Sequence, residues 1–215
     1  MIEIFVRPTS ATRRATVMLE ESGLAYRAIH VPFGSTDEAF LATGSRGRTP
    51  ALIDRGTPDG RPLALTQSNA ILLYLAGKSG KLIPTDYRAR ARCHEWMMML
   101  ATDIYPPFAA VYFMTWKKPE PYMEAAAWFE DRTIAEYEAF DRHLADNEYV
   151  AGDEFSIADI AGYPPAVLGL EDLPALRRFQ NLRAWMDRIA ARPAVQRGMA
   201  ATGEGRPAGL IAQRS

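Results

Sequence analysis

Only one of the 215 residues is cysteine and only three are histidine. A lone Cys93 cannot close an internal disulfide, which fits a reducing compartment. His30 and His143 have no partners at ligand spacing, so no metal is expected, and His94, beside Cys93, reads as a surface or interface residue. Long apolar runs are missing as well. Ile2 to Val6 is interrupted by Glu3 and followed by Arg7, which reads neither as a signal peptide nor as a spanning segment. Acidic and basic residues nearly cancel, leaving a formal charge of -1, and no basic stretch follows one helix face, so nothing marks a nucleic-acid binder. The adjacent pairs Arg13-Arg14 and Arg177-Arg178 read as solvated surface. No internal repeat is visible. The expectation is a soluble, cytoplasmic protein with no membrane partner and no nucleic acid.

What is present is an apolar fraction of 48%, enough for one large core or two moderate ones. The first eighty residues alternate strand and helix signals. Ile2–Val6 reads as a buried strand ended by Arg7-Pro8. Ala11, Ala15, Met18 and Leu19 then recur at helical spacing, with Gly23 placed to stop the helix. Tyr26–Val31 and Pro50–Asp54 read as strands, and Pro62–Leu65 as the hairpin partner of the latter across a turn rich in Gly, Pro and Asp. Ser68 opens a helix with Ile71, Tyr74 and Leu75 on one face. The order is β-α-β, then β-β-α.

Beyond Gly80 the pattern becomes helical. Cys93, Trp96, Met97, Leu100 and Ile104 form an apolar stripe that Pro106-Pro107 interrupts. Ile134, Tyr137, Phe140 and Leu144 mark a second helix; Phe179, Leu182, Trp185, Met186 and Ile189 mark a last one, halted by Pro193. The expected division is residues 1–80, a linker 81–87, a helical domain 88–198, and a weakly patterned, mobile tail 199–215.

Two segments carry chemistry. In Gly47-Arg48-Thr49-Pro50-Ala51-Leu52 a proline opens a strand; if cis, it exposes the preceding N–H and C=O to a ligand, although only about 5% of X–Pro bonds are cis and the residues alone favour trans. In Leu65-Thr66-Gln67-Ser68-Asn69-Ala70-Ile71, Ser68 stands where free N–H groups and the helix dipole favour a carboxylate, or where it simply caps the helix. Ser156 and Asp159 form a capping box, flanked at staple positions by Phe155 and Ile160; that motif is structural.

These segments, with Glu20-Glu21-Ser22-Gly23-Leu24-Ala25-Tyr26, Gln67-Ser68-Asn69-Ala70-Ile71-Leu72-Leu73-Tyr74-Leu75, Phe155-Ser156-Ile157-Ala158-Asp159 and Asn181-Leu182 through Arg192-Pro193-Ala194-Val195, resemble the cytosolic glutathione S-transferase family in order and spacing. The match runs from the first strand to about residue 196. Within the family the chain is most similar to the bacterial disulfide-reducing, or nu-class, type. The resemblance implies an α/β thioredoxin-like N-terminal domain that binds glutathione, and an all-α C-terminal domain that shapes the second-substrate pocket. It also implies a homodimer and no metal.

Carried over by position, Thr49 presents backbone groups to the cysteinyl part of glutathione, with Pro50 cis; because that contact uses backbone, threonine in place of valine or isoleucine should matter little. Ser68 and its amide hold the γ-glutamyl carboxylate. Gln67 faces the ammonium where glutamate is commoner, so one formal charge is missing. A transferase must favour the glutathione thiolate, and a pKa about 2 units below the cysteine value of about 8.5 requires about 2.7 kcal/mol. A hydroxyl at a helix N-terminus is suited to supply it. The loop Pro8-Thr9-Ser10-Ala11-Thr12-Arg13 offers Thr9, Ser10 and Thr12. The resemblance favours Thr9, then Ser10, with Arg13 adding positive potential; each hydroxyl is also readable as a plain N-cap. Similar proteins carry asparagine where Ala11 stands, so one thiol-directed donor is missing. No cysteine lies in this loop, which excludes an enzyme thiolate there, and Cys93 on its apolar stripe reads as structural.

Tyr105, Phe108, Tyr112, Phe113 and Trp116 read as core packing, but the resemblance sets this segment beside the sulfur. Tyr105, Phe108 and Tyr112 are therefore the candidates for a pocket taking a small hydrophobic electrophile or a disulfide. The expected function is conjugation of glutathione to electrophiles, or glutathione-dependent disulfide reduction and thiol exchange. Isomerisation or dehalogenation would use the same thiolate. Ala11 and Gln67 motivate the alternative, a non-catalytic transferase-like module acting through protein partners.

Overall fold

A computed structural model describes residues 1–117, 120 and 122–203. The chain divides into two compact units, one of residues 1–83 joined by the described residues from 190 onward, the other of residues 84–189.

The first unit holds four strands, β1 (Ile2–Val6), β2 (Tyr26–His30), β3 (Ala51–Asp54) and β4 (Leu63–Thr66), with helices α1 (Ser10–Ser22), α2 (Glu38–Ala42) and α3 (Ser68–Ser79). The sheet order is β2-β1-β3-β4; β1 runs parallel to β2 and antiparallel to β3, and β3 antiparallel to β4. This is the expected β-α-β followed by β-β-α; the short α2 has no counterpart in the sequence reading. Strand β1 is buried at all five residues. Its Phe5 side packs on Phe40, with ring centroids 5.3 Å apart. Its Glu3 is held by Arg27 and by Arg55 at 2.9 Å. Gly23 ends α1 in the left-handed conformation, at φ 74°.

The chain returns to this unit through α9 (Pro193–Ala200), which packs on α1. Pro193 does not merely halt the preceding helix; it opens a further one as its first residue, where its missing N–H costs nothing. The two helices touch at Gly198, where a Cβ would lie 2.4 Å from the Val17 Cα. Thr16 donates to the Gly198 carbonyl at 2.6 Å. The tail expected from residue 199 therefore begins inside a helix, with Thr202 buried; its remainder, 204–215, lies outside the described residues.

The second unit is helical: α4 (Tyr87–Met99), α5 (Tyr105–Tyr112), α6 (Met123–Asp146), α7 (Ile157–Asp172) and α8 (Gln180–Ala190). Pro106-Pro107 does not end the first stripe. A π-helical turn at Leu100–Ile104 widens the ladder ahead of the prolines, and both sit in the first turn of α5, where their lost N–H groups need no partner. A second π turn, Phe113–Lys117, follows. Asp159 is the centre of this unit. Fully buried, it accepts from the backbone N–H of Val150 (2.8 Å) and Ser156 (2.9 Å), and from the Trp185 indole (2.8 Å). Burial pushes its carboxyl pKa up, against these donors, which favour the ionised form. Cys93 is buried, its thiol pKa also raised by burial, and donates weakly to Ser156 Oγ at 3.8 Å. No helix among the described residues is long and apolar enough to cross a membrane.

Candidate active site

The register brings three segments to one end of the sheet. Phe5 pairs with Ala51, and Ala51 with Thr66. The chain leaving β1, the chain entering β3 and the chain leaving β4 therefore meet there, carrying Thr9, Thr49-Pro50 and Gln67-Ser68. Arg7 ties together the segments that follow β2 and precede β3. Its buried guanidinium donates to the carbonyls of Val31 (3.0 Å), Pro32 (2.6 Å) and Gly47 (2.8 Å). It also lies over the Phe33 and Phe40 rings. Burial draws its pKa down, yet arginine stays charged.

Thr9 is the N-cap of α1, its oxygen accepting from the Thr12 N–H at 3.2 Å. Its hydroxyl lies 2.9 Å from that of Thr12, which donates to the Thr49 hydroxyl at 3.0 Å. Each hydroxyl has one proton. With the Thr12 proton given to Thr49, the Thr9–Thr12 contact is made by the Thr9 proton. The Thr49 side chain thus joins a chain of hydroxyls, which the sequence could not show because Thr12 and Thr49 are 37 positions apart. The Thr49–Pro50 peptide bond is cis, as the family resemblance implies and against the trans reading favoured by the residues alone.

Ser10, by contrast, is buried at 4% exposure. Arg13 lies by Thr202, its Nε 3.4 Å from the hydroxyl. Its neighbour Arg14 is not solvated surface, as the pair was read; it is 5% exposed, and its Nη1 donates to Ser68 Oγ at 3.2 Å. A signal was available, since residue 14 falls on the same helical face as Ala11 and Met18. Ser68 is the first helical residue of α3 rather than its cap. The cap position belongs to Gln67, which makes no side-chain cap bond and holds a left-handed φ of 70°. That conformation costs about 1–3 kcal/mol for a non-glycine residue and clusters at ligand sites. Neither α1 nor α3 has an acidic residue in its first turn. Both helix starts are consequently electropositive and present a hydroxyl each.

In the helical unit, Phe108 is buried and meets the half-buried Tyr105 edge-on, with ring centroids 6.3 Å apart; Tyr112 meets the exposed Phe113 at 5.7 Å. Among the described residues no group of three or more His, Cys, Asp or Glu side chains could hold a metal.

Two family models match the chain: the glutathione S-transferase N-terminal domain over residues 10–78, and the C-terminal domain over residues 104–193. The disulfide-bond oxidoreductase YfcG of Escherichia coli K12 is 30% identical over 198 residues, covering 90% of this chain and 92% of that protein. A glutathione transferase family member from Pseudomonas fluorescens Pf-5, solved with two glutathione bound, is 31% identical with a TM-score of 0.84, covering 92% of each chain. A glutathione transferase from Pseudomonas putida, solved with one glutathione disulfide per subunit, is 31% identical with a TM-score of 0.86, covering 94% of this chain and 92% of that one.

Proposed function

The chain belongs to the glutathione S-transferase family, and we propose that it binds glutathione across the starts of α1 and α3 and uses the tripeptide's thiolate as nucleophile. The observation that carries this reading is the pair of acid-free helix starts, each with a hydroxyl, at one end of the sheet. Ser68 takes the γ-glutamyl carboxylate, Gln67 the ammonium, Thr49 the cysteinyl backbone beside Pro50, and Thr9 the sulfur. Ser10 and Arg13 are the secondary candidates at the sulfur. Residues 1–80, with α9 packed on them, form the glutathione-binding domain, and the helical unit of residues 84–189 is the domain whose Tyr105, Phe108 and Tyr112 face the second substrate.

Magnitudes support Thr9 as the activating group. A charge-assisted hydrogen bond contributes about 1.5–3 kcal/mol, and a helix N-terminus about 0.3–1 kcal/mol. Together they reach the roughly 2.7 kcal/mol that a two-unit drop in thiol pKa demands. Once a thiolate accepts the Thr9 proton, the Thr12 proton turns to Thr9 and the Thr49 proton to Thr12, so each hydroxyl strengthens the next.

With an electrophile, the thiolate forms a carbon–sulfur bond and expels the leaving group. With a disulfide, it bonds to one sulfur and releases the other as thiolate, which takes a proton from solvent. A second glutathione thiolate then displaces the remaining thiol, leaving glutathione disulfide. The names of the disulfide oxidoreductase relatives favour this second course. The same reading makes the protein a cytoplasmic homodimer.

Titration of bound glutathione by thiolate absorbance near 240 nm tests the proposal. The wild type should show a thiol pKa about 2 units below the solution value, and Thr9→Val should return about 1–2 of those units. A bound thiol titrating as in solution would refute the reading.

A further inference from the structure

We infer that Arg13 is a catalytic cation for the leaving sulfur of a disulfide substrate, oriented by Thr202 at the end of α9. The inference rests on the glutathione reading above and on its disulfide course. In that course the thiolate beside Thr9 forms a bond to the near sulfur of the disulfide while the bond to the far sulfur breaks. The electron pair, and with it the negative charge, leaves on the far sulfur. Two disulfide bonds end to end span about 4 Å, so the charge moves about that far from the sulfur at Thr9. A donor at Thr9 stabilises the thiolate before it attacks, and a group that favours the starting state alone does not speed the step. Acceleration needs a positive group where the charge arrives.

Arg13 fits that place. Its N–H donates to the Thr9 carbonyl at 3.0 Å, which sets the two residues one helical turn, about 5.4 Å, apart on the same face of α1. Ser10, Thr12 and Arg14 are buried, whereas Thr9, Ala11 and Arg13 are half-buried. Arg13 is therefore the one charged side chain of residues 9–14 that reaches outward. A proton count shows what orients it. The Thr202 hydroxyl, 1% exposed, gives its proton to the Met199 carbonyl at 3.4 Å and accepts from Arg13 Nε, also at 3.4 Å. The two Nη groups are left with no hydrogen bond or ion pair among the described residues. Farther along the seam between α1 and α9 the cations are neutralised: Arg192 pairs with Glu21 at 2.7 and 2.8 Å, and Arg197 with Glu20 at 2.7 Å. At the site end of that seam, Arg13 keeps its charge for an anion from outside.

Leaving-group dependence separates this role from a role at the attacking sulfur. Bis(2-hydroxyethyl) disulfide expels a basic thiolate that leaves slowly, whereas 4,4′-dithiodipyridine expels a stable one that needs little help. At a pH above the pKa of bound glutathione, Arg13→Met should lower kcat/KM about 30-fold with the first and less than about threefold with the second. The thiol pKa of bound glutathione should move by no more than about half a unit. Arg13→Lys should recover part of the loss. Thr202→Val should reproduce the pattern at about 3- to 10-fold, and Thr202→Ser should match the wild type. If Arg13→Met does not fold, the wild type supplies the test: the ratio of its rates with the two disulfides should be at least about tenfold smaller than the ratio for free glutathione thiolate. Equal losses with both disulfides, or none with either, would overturn the inference, as would a wild-type ratio equal to that of free glutathione. Wild-type protein that binds glutathione but reduces neither disulfide would end the disulfide course and the inference with it. Protein that binds no glutathione would overturn the glutathione reading itself.

Discussion

Helix α7 and helices α1 and α3 solve the same electrostatic problem in opposite ways. Each begins with backbone N–H groups that have no partner within the helix. At α7 the chain brings its own anion: Ser156 and Asp159 close a capping box, and Asp159 also takes the Trp185 indole and the Val150 N–H. At α1 and α3 no acidic residue stands in the first turn, and the positions hold Thr9 and Ser68, with Arg14 behind the latter. A helix start that supplies its own carboxylate stabilises the fold. One that withholds it is left electropositive for an anion brought from outside, and on the reading proposed above two of glutathione's three anionic groups, its γ-glutamyl carboxylate and its thiolate, meet these helix starts. Under the proposed reading, α7 carries a structural cap, and α1 and α3 carry the binding site.

Three substitutions would break or sharpen that contrast. The largest effect belongs to Asp159→Ala, which strands several buried donors and should cost about 3–5 kcal/mol of unfolding free energy by urea titration. The folded fraction should keep its glutathione affinity. Ser68→Ala should weigh the two the other way, weakening glutathione binding about 10- to 100-fold by calorimetry while costing only about 1–3 kcal/mol in urea, because the buried Arg14 loses one acceptor. The smallest effect, and the sharpest, is Ala11→Glu. An acid in the first turn of α1 should stabilise the protein by about 0.3–1 kcal/mol, and by the same charge raise the pKa of bound glutathione by up to about one unit. If stability and thiolate formation moved together, the helix start would not be the site of the sulfur.

Much of this was legible in the residues because it is local. Gly23 closing α1, the capping box at Ser156 and the acid-free turn after Thr9 are all set by neighbours within four positions, where spacing translates directly into geometry. The proline pair at 106 and 107 was misjudged as a break because the π turn ahead of it depends on packing rather than propensity. Arg14 was misread for a related reason: a pair of arginines looks solvated until a second segment covers one of them.

What the sequence determined by itself, then, is which helix starts lack an anion and which residues offer hydroxyls there. How those groups join is set by long-range packing. Thr12 meets Thr49 across 37 positions, and Arg14 meets Ser68 across 54. The pairing of β1 with β3 and β3 with β4 sets both meetings, because hydrogen bonds reach about 3 Å and the chain alone does not fix which distant segments come that close.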